Sequence, residues 1–117
     1  MLKFIEYPKC TTCKKAKAEL IQLGVNFETV DIVLDTPSEA ELLSWMKHSD
    51  LEIKSFFNTS GLKYRELGLK NKVSSLTLEE AASLLATDGM LIKRPILVKD
   101  DKILQIGYRK EYIHLGL

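Results

Sequence analysis

"EYPKCTTCKKAKAEL", residues 6–20, contains the only two cysteines of the 117-residue chain, Cys10 and Cys13. A short, mostly apolar segment, residues 1–7, comes before the cysteines and is typical of a β-strand. From Cys13 onward, apolar residues recur at helical spacing, and Gly24 follows them where a left-handed helix cap is expected. The cysteines therefore lie where a predicted strand passes into a predicted helix.

Three interpretations of the cysteine pair differ in their chemistry. A zinc site needs four ligands, and the two cysteines supply only two. The only histidines, His48 and His114, lie far apart in the sequence and lack the spacing of a zinc finger, so that metal binding would require a dimer. Two small buried side chains would fit Cys13, which lies on the apolar stripe, but not Cys10 in the turn. A redox pair fits both, because a C-x-x-C motif at a strand-to-helix junction is typical of thioredoxin-like sites.

The start of a helix has the electrostatics that a reactive thiol needs. Unpaired N–H groups and the positive end of the helix dipole stabilise a thiolate at Cys10. One helical turn on, Cys13 is close enough to attack a mixed disulfide on Cys10. Thr11 and Thr12 offer hydroxyl groups to the sulfur or to a bound oxyanion.

A second motif, "IKRPI", residues 92–96, is compatible with the same site. In a thioredoxin-like arrangement Pro95 would pack against the cysteine turn after a cis peptide bond, and Arg94 would stand beside Cys10, where a guanidinium suits a thiolate or an oxyanion. The alternative is a surface arginine before an ordinary strand.

Composition predicts an ordinary globular protein. The chain is 45% hydrophobic and 28% charged with a net charge of +1, which gives no electrostatic reason to expect nucleic acid or membrane partners. No apolar stretch is long enough to span a bilayer, and the first residues do not resemble a signal peptide. We therefore expect one cytoplasmic domain, residues 1–117.

The order of predicted elements is β-α-β, then helices over about residues 35–90, then β-β and a final helix. The helical stretch is interpreted as an insertion packed on the domain. "RPILV" and "ILQIGY", joined by the polar turn "KDDK", predict a β-hairpin. "RKEYIHLGL", residues 109–117, predicts an amphipathic helix.

Two helices in the insertion have recognisable start signals. Thr36 with Glu39, and Thr77 with Glu80, match the capping box, in which a side chain at the helix start and one three residues later satisfy each other's backbone N–H groups. The second of these helices is predicted to end at Gly89.

Taken together, "YPKCTTCKKAKAEL", "FFNTSGLKYRELGL" and "LIKRPILV" with "IGY" resemble the ArsC/Spx family of thioredoxin-fold proteins over essentially the whole chain. The resemblance implies an α/β, thioredoxin-like (glutaredoxin-like) fold: a four-stranded mixed sheet with a helical insertion and a cis proline after the arginine. The family includes glutaredoxin-coupled arsenate reductases and the Spx and MgsR transcriptional regulators.

The resemblance to the reductases implies a thiol-dependent oxidoreductase with a redox-active pair able to form a disulfide. Cys10 matches the nucleophilic cysteine, and Arg94 matches the arginine that helps to hold arsenate; Cys13 would be a resolving thiol. Two further arginines of those reductases are absent, since Asn58 and Tyr108 stand at or near their places. Glutaredoxin or thioredoxin would donate electrons and glutathione could be a co-substrate, with no bound cofactor or metal.

The resemblance to the regulators implies a different use of the same cysteines. Oxidation of Cys10 and Cys13 would then act as a switch, and the partner would be the C-terminal domain of the RNA polymerase α subunit. This redox-sensing regulator is the alternative hypothesis.

Overall fold

A computed structural model describes all residues of the chain, 1–117. The chain divides into two compact units, which are described separately below. The sheet unit comprises Met1–Asp31 and Arg94–Leu117, and the helical unit comprises Ile32–Lys93. The predicted insertion, about residues 35–90, falls inside the helical unit. No helix is both long and apolar enough to cross a membrane.

The sheet unit contains a mixed four-stranded sheet with the strand order β2-β1-β3-β4. Strand β1 pairs in parallel with β2 and antiparallel with β3, and β3 pairs antiparallel with β4. The predicted fold class, α/β with a mixed four-stranded sheet, is therefore confirmed. The elements of this unit are β1 (Leu2–Glu6), α1 (Thr11–Gln22), β2 (Glu28–Asp31), β3 (Ile96–Lys99) and β4 (Lys102–Ile106).

Helix α1 packs on the sheet through the predicted apolar stripe. Cys13, Ala16 and Leu20 are fully buried, and the last two share a core cluster with Phe4 of β1 and Leu97 of β3. Burial of such side chains is the main term that stabilises the fold, at about 25 cal/mol per Å² of apolar surface. The stripe fixes the rotation of α1, and with it the direction in which its first turn presents its side chains.

The hairpin between β3 and β4 is confirmed. Asp100 and Asp101 have φ values of 49° and 66°, the left-handed backbone that a two-residue hairpin turn requires. Aspartate tolerates this conformation better than most residues because its short side chain bonds locally. Asp100 also accepts a hydrogen bond from the N-terminal ammonium group of Met1 at 2.8 Å.

The helical unit contains α2 (Glu39–Lys47), α3 (Leu62–Glu66) and α4 (Leu78–Leu85). The capping box of Thr77 and Glu80 at the start of α4 is confirmed.

The predicted box of Thr36 and Glu39 is wrong, because Ser38 and Glu41 form the capping box of α2. The Thr36 hydroxyl instead donates to the carbonyl of Ile32 at 2.9 Å and so belongs to the preceding turn. The pairs Thr36–Glu39 and Ser38–Glu41 have the same sequence pattern, but only Ser38–Glu41 lies where α2 begins.

The predicted end of α4 at Gly89 is also wrong. The helix ends at Leu85, and Gly89 begins a separate turn of 3₁₀ helix, Gly89–Leu91. A Cβ atom on Gly89 would overlap the carbonyl of Ile32. The glycine is therefore needed for a close backbone approach and not as a helix cap.

The final segment forms a single 3₁₀ turn, Tyr112–Leu115, and not the predicted amphipathic helix. Its first N–H groups, those of Tyr112 and Ile113, donate to the carboxylate of Glu19 on α1 at 2.6 and 3.1 Å. Gly116, with φ of 68°, follows the turn directly. A helix this short is marginal by itself, so that its conformation is set by the tertiary contact with α1.

Candidate active site

Cys10 is the N-cap residue of α1. Its backbone is extended, with φ −81° and ψ 123°, and its sulfur accepts a hydrogen bond from the Cys13 N–H at 3.4 Å. The Cys10 N–H donates to the carbonyl of Tyr7 at 2.9 Å, which closes the turn between β1 and α1. The sulfur thus takes the place that a serine or aspartate oxygen takes in ordinary helix caps.

The surroundings of Cys10 favour its ionised form. Burial by itself raises the pKa of the Cys10 thiol, but the hydrogen bonds from Cys13 and Arg94 and the positive charge of Arg94 outweigh burial. The pKa of Cys10 therefore lies below its ordinary value. Since the side chain is only half-buried, the stabilised thiolate can be reached from outside.

Cys13 has the opposite character. Its side chain is fully buried, and this burial raises the pKa of its thiol to about 12, despite a hydrogen bond from the backbone N–H of Tyr7. The Cys10 sulfur raises the pKa of Cys13 further by its hydrogen bonding and charge. Both cysteines are free thiols in the structure, so the predicted disulfide is not formed there.

Arg94 reaches the cysteine turn because of the register between β1 and β3. Ile5 pairs with Ile96 in antiparallel fashion, so that the residues after β1 run alongside those before β3. The Arg94–Pro95 peptide bond is cis, as the resemblance predicted, and Pro95 is buried.

The guanidinium of Arg94 lies over the ring of Tyr7, with 5.2 Å between Cζ and the ring centroid. The structure thus brings together Cys10, Cys13 and Arg94, which the sequence singled out, and adds Tyr7, which it did not. Tyr7 could have been noticed from its place three residues before Cys10, but nothing local indicates that it contacts Arg94, 87 positions further on.

The remaining residues that the sequence singled out form no side-chain hydrogen bond with either cysteine: Thr11, Thr12, Tyr108 and Asn58. Thr11 and Thr12 are the first two residues of α1, and both are exposed. Tyr108, which stands near the place of a reductase arginine, donates its hydroxyl to Glu19 at 2.6 Å. Asn58, at the place of the other arginine, lies in the helical unit, where its N–H donates to the carbonyl of Leu91 at 2.8 Å.

A carboxylate also lies on the strand that leads to the cysteine turn. Glu6, the last residue of β1, is buried and accepts a hydrogen bond from the ammonium group of Lys17 at 3.1 Å. Lys17 lies one turn beyond Cys13 on α1, so this ion pair ties the strand before the site to the helix after it. No three His, Cys, Asp or Glu side chains lie close enough together to hold a metal ion.

A mixed four-stranded sheet, a C-x-x-C motif at the start of its first helix and a cis proline before β3 define an α/β protein of the thioredoxin-like class. The chain belongs to the ArsC family, whose model matches residues 5–114.

Relatives extend over nearly the whole chain. It is similar to the uncharacterized protein YusI of Bacillus subtilis (44% identical, 94% of this chain and 92% of that protein) and to the regulatory protein MgsR of the same organism (33% identical, 92% and 82%). A crystal structure from Streptococcus mutans UA159, described as that of a possible arsenate reductase, is 56% identical with a TM-score of 0.97 and covers 100% of this chain and 98% of that one.

Proposed function

We propose that this protein is a thiol-dependent oxidoreductase of the ArsC type in which Cys10 attacks the substrate and Cys13 completes the reaction. The observation that carries the proposal is the contrast between the two sulfurs. The pKa of Cys10 is lowered in a half-buried position, whereas burial raises the pKa of Cys13 to about 12. One sulfur is prepared to react, and the other is kept protonated until it is needed.

In the first step the Cys10 thiolate attacks one sulfur of a substrate disulfide. A bond forms between Cys10 and that sulfur, the substrate S–S bond breaks, and the other substrate sulfur leaves as a thiolate that takes up a proton. Arg94 would orient the substrate or neutralise the charge that develops on the leaving sulfur. Thr11, Thr12 and Pro95 would border the bound substrate.

In the second step Cys13 attacks the Cys10 sulfur, and its proton passes to the departing substrate sulfur. The Cys10–Cys13 disulfide forms and the first substrate sulfur leaves as a thiol, so that two electrons have passed from the protein to the substrate. The first step assists the second: once Cys10 is in a mixed disulfide, the negative charge that helps to raise the pKa of Cys13 is gone. Glutathione, glutaredoxin or thioredoxin would then return the disulfide to two thiols.

The substrate class that this site fits best is a disulfide or a glutathione-bound thiol. Arg94 is the cation whose charge acts on both cysteine sulfurs. Because charge-assisted hydrogen bonds are the strong ones, a dianion such as arsenate is bound better by several guanidinium groups than by one. The reacting S–S bond itself carries no charge, and each step releases one sulfur, whose developing negative charge a single guanidinium can match.

Turnover assays with purified protein test this proposal. Oxidation of NADPH would be followed with bis(2-hydroxyethyl) disulfide, coupled to the thioredoxin system, and separately with arsenate, coupled to the glutaredoxin or the thioredoxin system; the rate measured without the protein is subtracted. We expect turnover with the disulfide and its loss in the Cys10→Ser variant. Turnover with arsenate alone would correct the substrate class, and turnover that survives Cys10→Ser would contradict the mechanism.

A second candidate function is a redox-sensing transcriptional regulator that binds the C-terminal domain of the RNA polymerase α subunit. The observation in its favour is the similarity to the regulatory protein MgsR over 92% of this chain. Binding of the purified α-subunit domain would be measured with the protein reduced and oxidised, beside the Cys13→Ser variant. Binding in one redox state only would support this function, and no binding in either state would exclude it.

A further inference from the structure

Tyr7 occupies a particular place in the sheet unit. It follows directly after β1, its side chain is half-buried, and its carbonyl accepts the Cys10 N–H at 2.9 Å. Its ring lies beneath the guanidinium of Arg94, with 5.2 Å between Cζ and the ring centroid. One residue thus contacts the cysteine turn through its backbone and the arginine through its ring.

We propose that Tyr7 is a positioning residue whose ring holds the Arg94 guanidinium against the Cys10 sulfur. The inference rests on the proposed thiol chemistry, since it concerns the residue that prepares Cys10 for attack. It is distinct from the backbone role of Tyr7, which any residue at this position would keep.

The need for such a residue follows from the length of arginine. An arginine side chain carries about 2 kcal/mol of rotamer entropy, so that its guanidinium keeps one position only while contacts restrain it. A guanidinium within about 6 Å of an aromatic centroid gains about 0.5–1 kcal/mol when exposed and about 2 kcal/mol when desolvated. Because Arg94 and Tyr7 are both half-buried, their contact should contribute a free energy between these two values and so favour the conformation that faces Cys10.

A charged group keeps its effect on a thiol only while it stays near. The charge and the hydrogen bond of Arg94 both lower the pKa of Cys10, and both fall off as the guanidinium moves away. Without the ring, Arg94 would spend part of its time in solvent, and the average stabilisation of the thiolate would fall. Tyr7 therefore acts on Cys10 through Arg94 and not by contact with the sulfur.

The test is the pH dependence of Cys10 alkylation by iodoacetamide in the full chain, together with the thiolate absorbance at 240 nm. The Tyr7→Phe variant retains an aromatic face, whereas Tyr7→Leu retains only bulk and apolarity. We expect Tyr7→Phe to leave the Cys10 titration unchanged. Tyr7→Leu should raise the apparent pKa of Cys10 and slow its alkylation near pH 6 about two- to fivefold. An equal effect of the two variants on the Cys10 titration would overturn the inference.

A double-mutant cycle separates positioning from a merely structural role. When Arg94→Gln is already present, adding Tyr7→Leu should change the Cys10 titration no further, since the group that Tyr7 positions has been removed. Additive effects would overturn the inference. Urea unfolding of each variant shows whether it is folded, and if Tyr7→Leu is not, Tyr7→Met replaces it in the cycle.

The failure of this inference can be told apart from failure of the proposed function. If Tyr7→Leu titrates like the wild type while Arg94→Gln raises the Cys10 pKa, Tyr7 has no positioning role and the thiol chemistry stands. If Cys10 titrates as an ordinary thiol in the wild type, the proposed function fails and the inference fails with it.

Discussion

Helix α1 holds two anionic groups against backbone N–H donors, one at its start and one further along. At the start, the Cys10 sulfur accepts the N–H of Cys13 at 3.4 Å. Further along, the carboxylate of Glu19 accepts the N–H groups of Tyr112 and Ile113, at the start of the last 3₁₀ turn. Burial raises the pKa of each group, but the donors prevail, so that both pKa values lie below the ordinary ones.

The two groups differ in where their hydrogen-bond donors come from. Glu19 receives three donors, the two backbone groups and the hydroxyl of Tyr108, and so joins α1 to a segment about 90 positions away. Cys10 is half-buried, and its donors come from its own turn and from Arg94. Glu19 is half-buried as well, so burial does not separate the two anions. The donors to Glu19 attach the last turn of the chain to α1, whereas the donors to Cys10 stabilise a thiolate at the start of that helix.

The largest expected effect concerns the second sulfur. Cys13→Ser keeps the backbone N–H that supports Cys10 but removes the thiol that we propose attacks it. With glutathione disulfide we expect this variant to release one glutathione per protein and to stop as a mixed disulfide, while the wild type releases two and forms the Cys10–Cys13 disulfide. Mass spectrometry of the quenched reactions distinguishes these products. Full turnover by Cys13→Ser without an added thiol would show that Cys13 is not the resolving group.

A smaller effect is expected at Glu19. Glu19→Gln removes the charge from the hydrogen bonds to Tyr108 and the last turn, and should lower the free energy of unfolding by about 1–2 kcal/mol at pH 7. Since the folded-state pKa of Glu19 is lowered, its stabilisation is complete above the unfolded value of about 4.3 and is lost as the pH falls through the folded value. The difference between variant and wild type should therefore shrink at low pH.

Urea unfolding at pH 7 and pH 3 measures this difference, with the exposed Glu28 replaced by glutamine as a control. Cys10 alkylation should be unchanged in Glu19→Gln, because the two anions are expected to act independently. A loss of alkylation, or a stability difference as large at pH 3 as at pH 7, would contradict the contrast between them.

The anion at Cys10 could be predicted from the sequence better than the anion at Glu19, for a physical reason. The features of Cys10 are local: a strand, a turn, two cysteines one helical turn apart and a buried stripe that sets the rotation of α1. The partners of Glu19 lie about 90 positions away. On sequence alone Glu19 belongs to the polar face of α1, and only the folded chain reveals its role. The contact between Tyr7 and Arg94 was missed for the same reason.

Local patterns also fail where two of them overlap. Thr36 and Ser38 each precede a glutamate by three residues, so both match the capping box, and only Ser38 caps α2. Thr36 is already used by the carbonyl of Ile32 in the preceding turn. Gly89 shows a second way in which a local pattern misleads. Its position in the sequence suits a helix cap, but the structure requires a glycine there because a Cβ atom would overlap the carbonyl of Ile32. Steric contacts and competing hydrogen bonds from neighbouring segments determine which of the matching residues caps a helix and where a glycine is required.

The smallest expected effects belong to the two tyrosines next to Glu19, whose rings pack edge to face with centroids 4.9 Å apart. The Tyr108 hydroxyl donates to Glu19 at 2.6 Å, whereas the Tyr112 hydroxyl is buried without a hydrogen-bond partner. Tyr108→Phe should lower the free energy of unfolding by about 1 kcal/mol. Tyr112→Phe should leave it unchanged or raise it by about 1 kcal/mol, because a buried donor without a partner is itself unfavourable.

Urea denaturation of the two variants side by side checks this difference in sign, and each serves as the control for the other, since both lose one hydroxyl and keep the ring. A larger loss in Tyr112→Phe than in Tyr108→Phe would mean that the Tyr112 hydroxyl has a partner, such as a buried water. The anchoring of the last turn would then depend on that partner as well as on Glu19, and the carboxylate would no longer account for the attachment of this segment to α1.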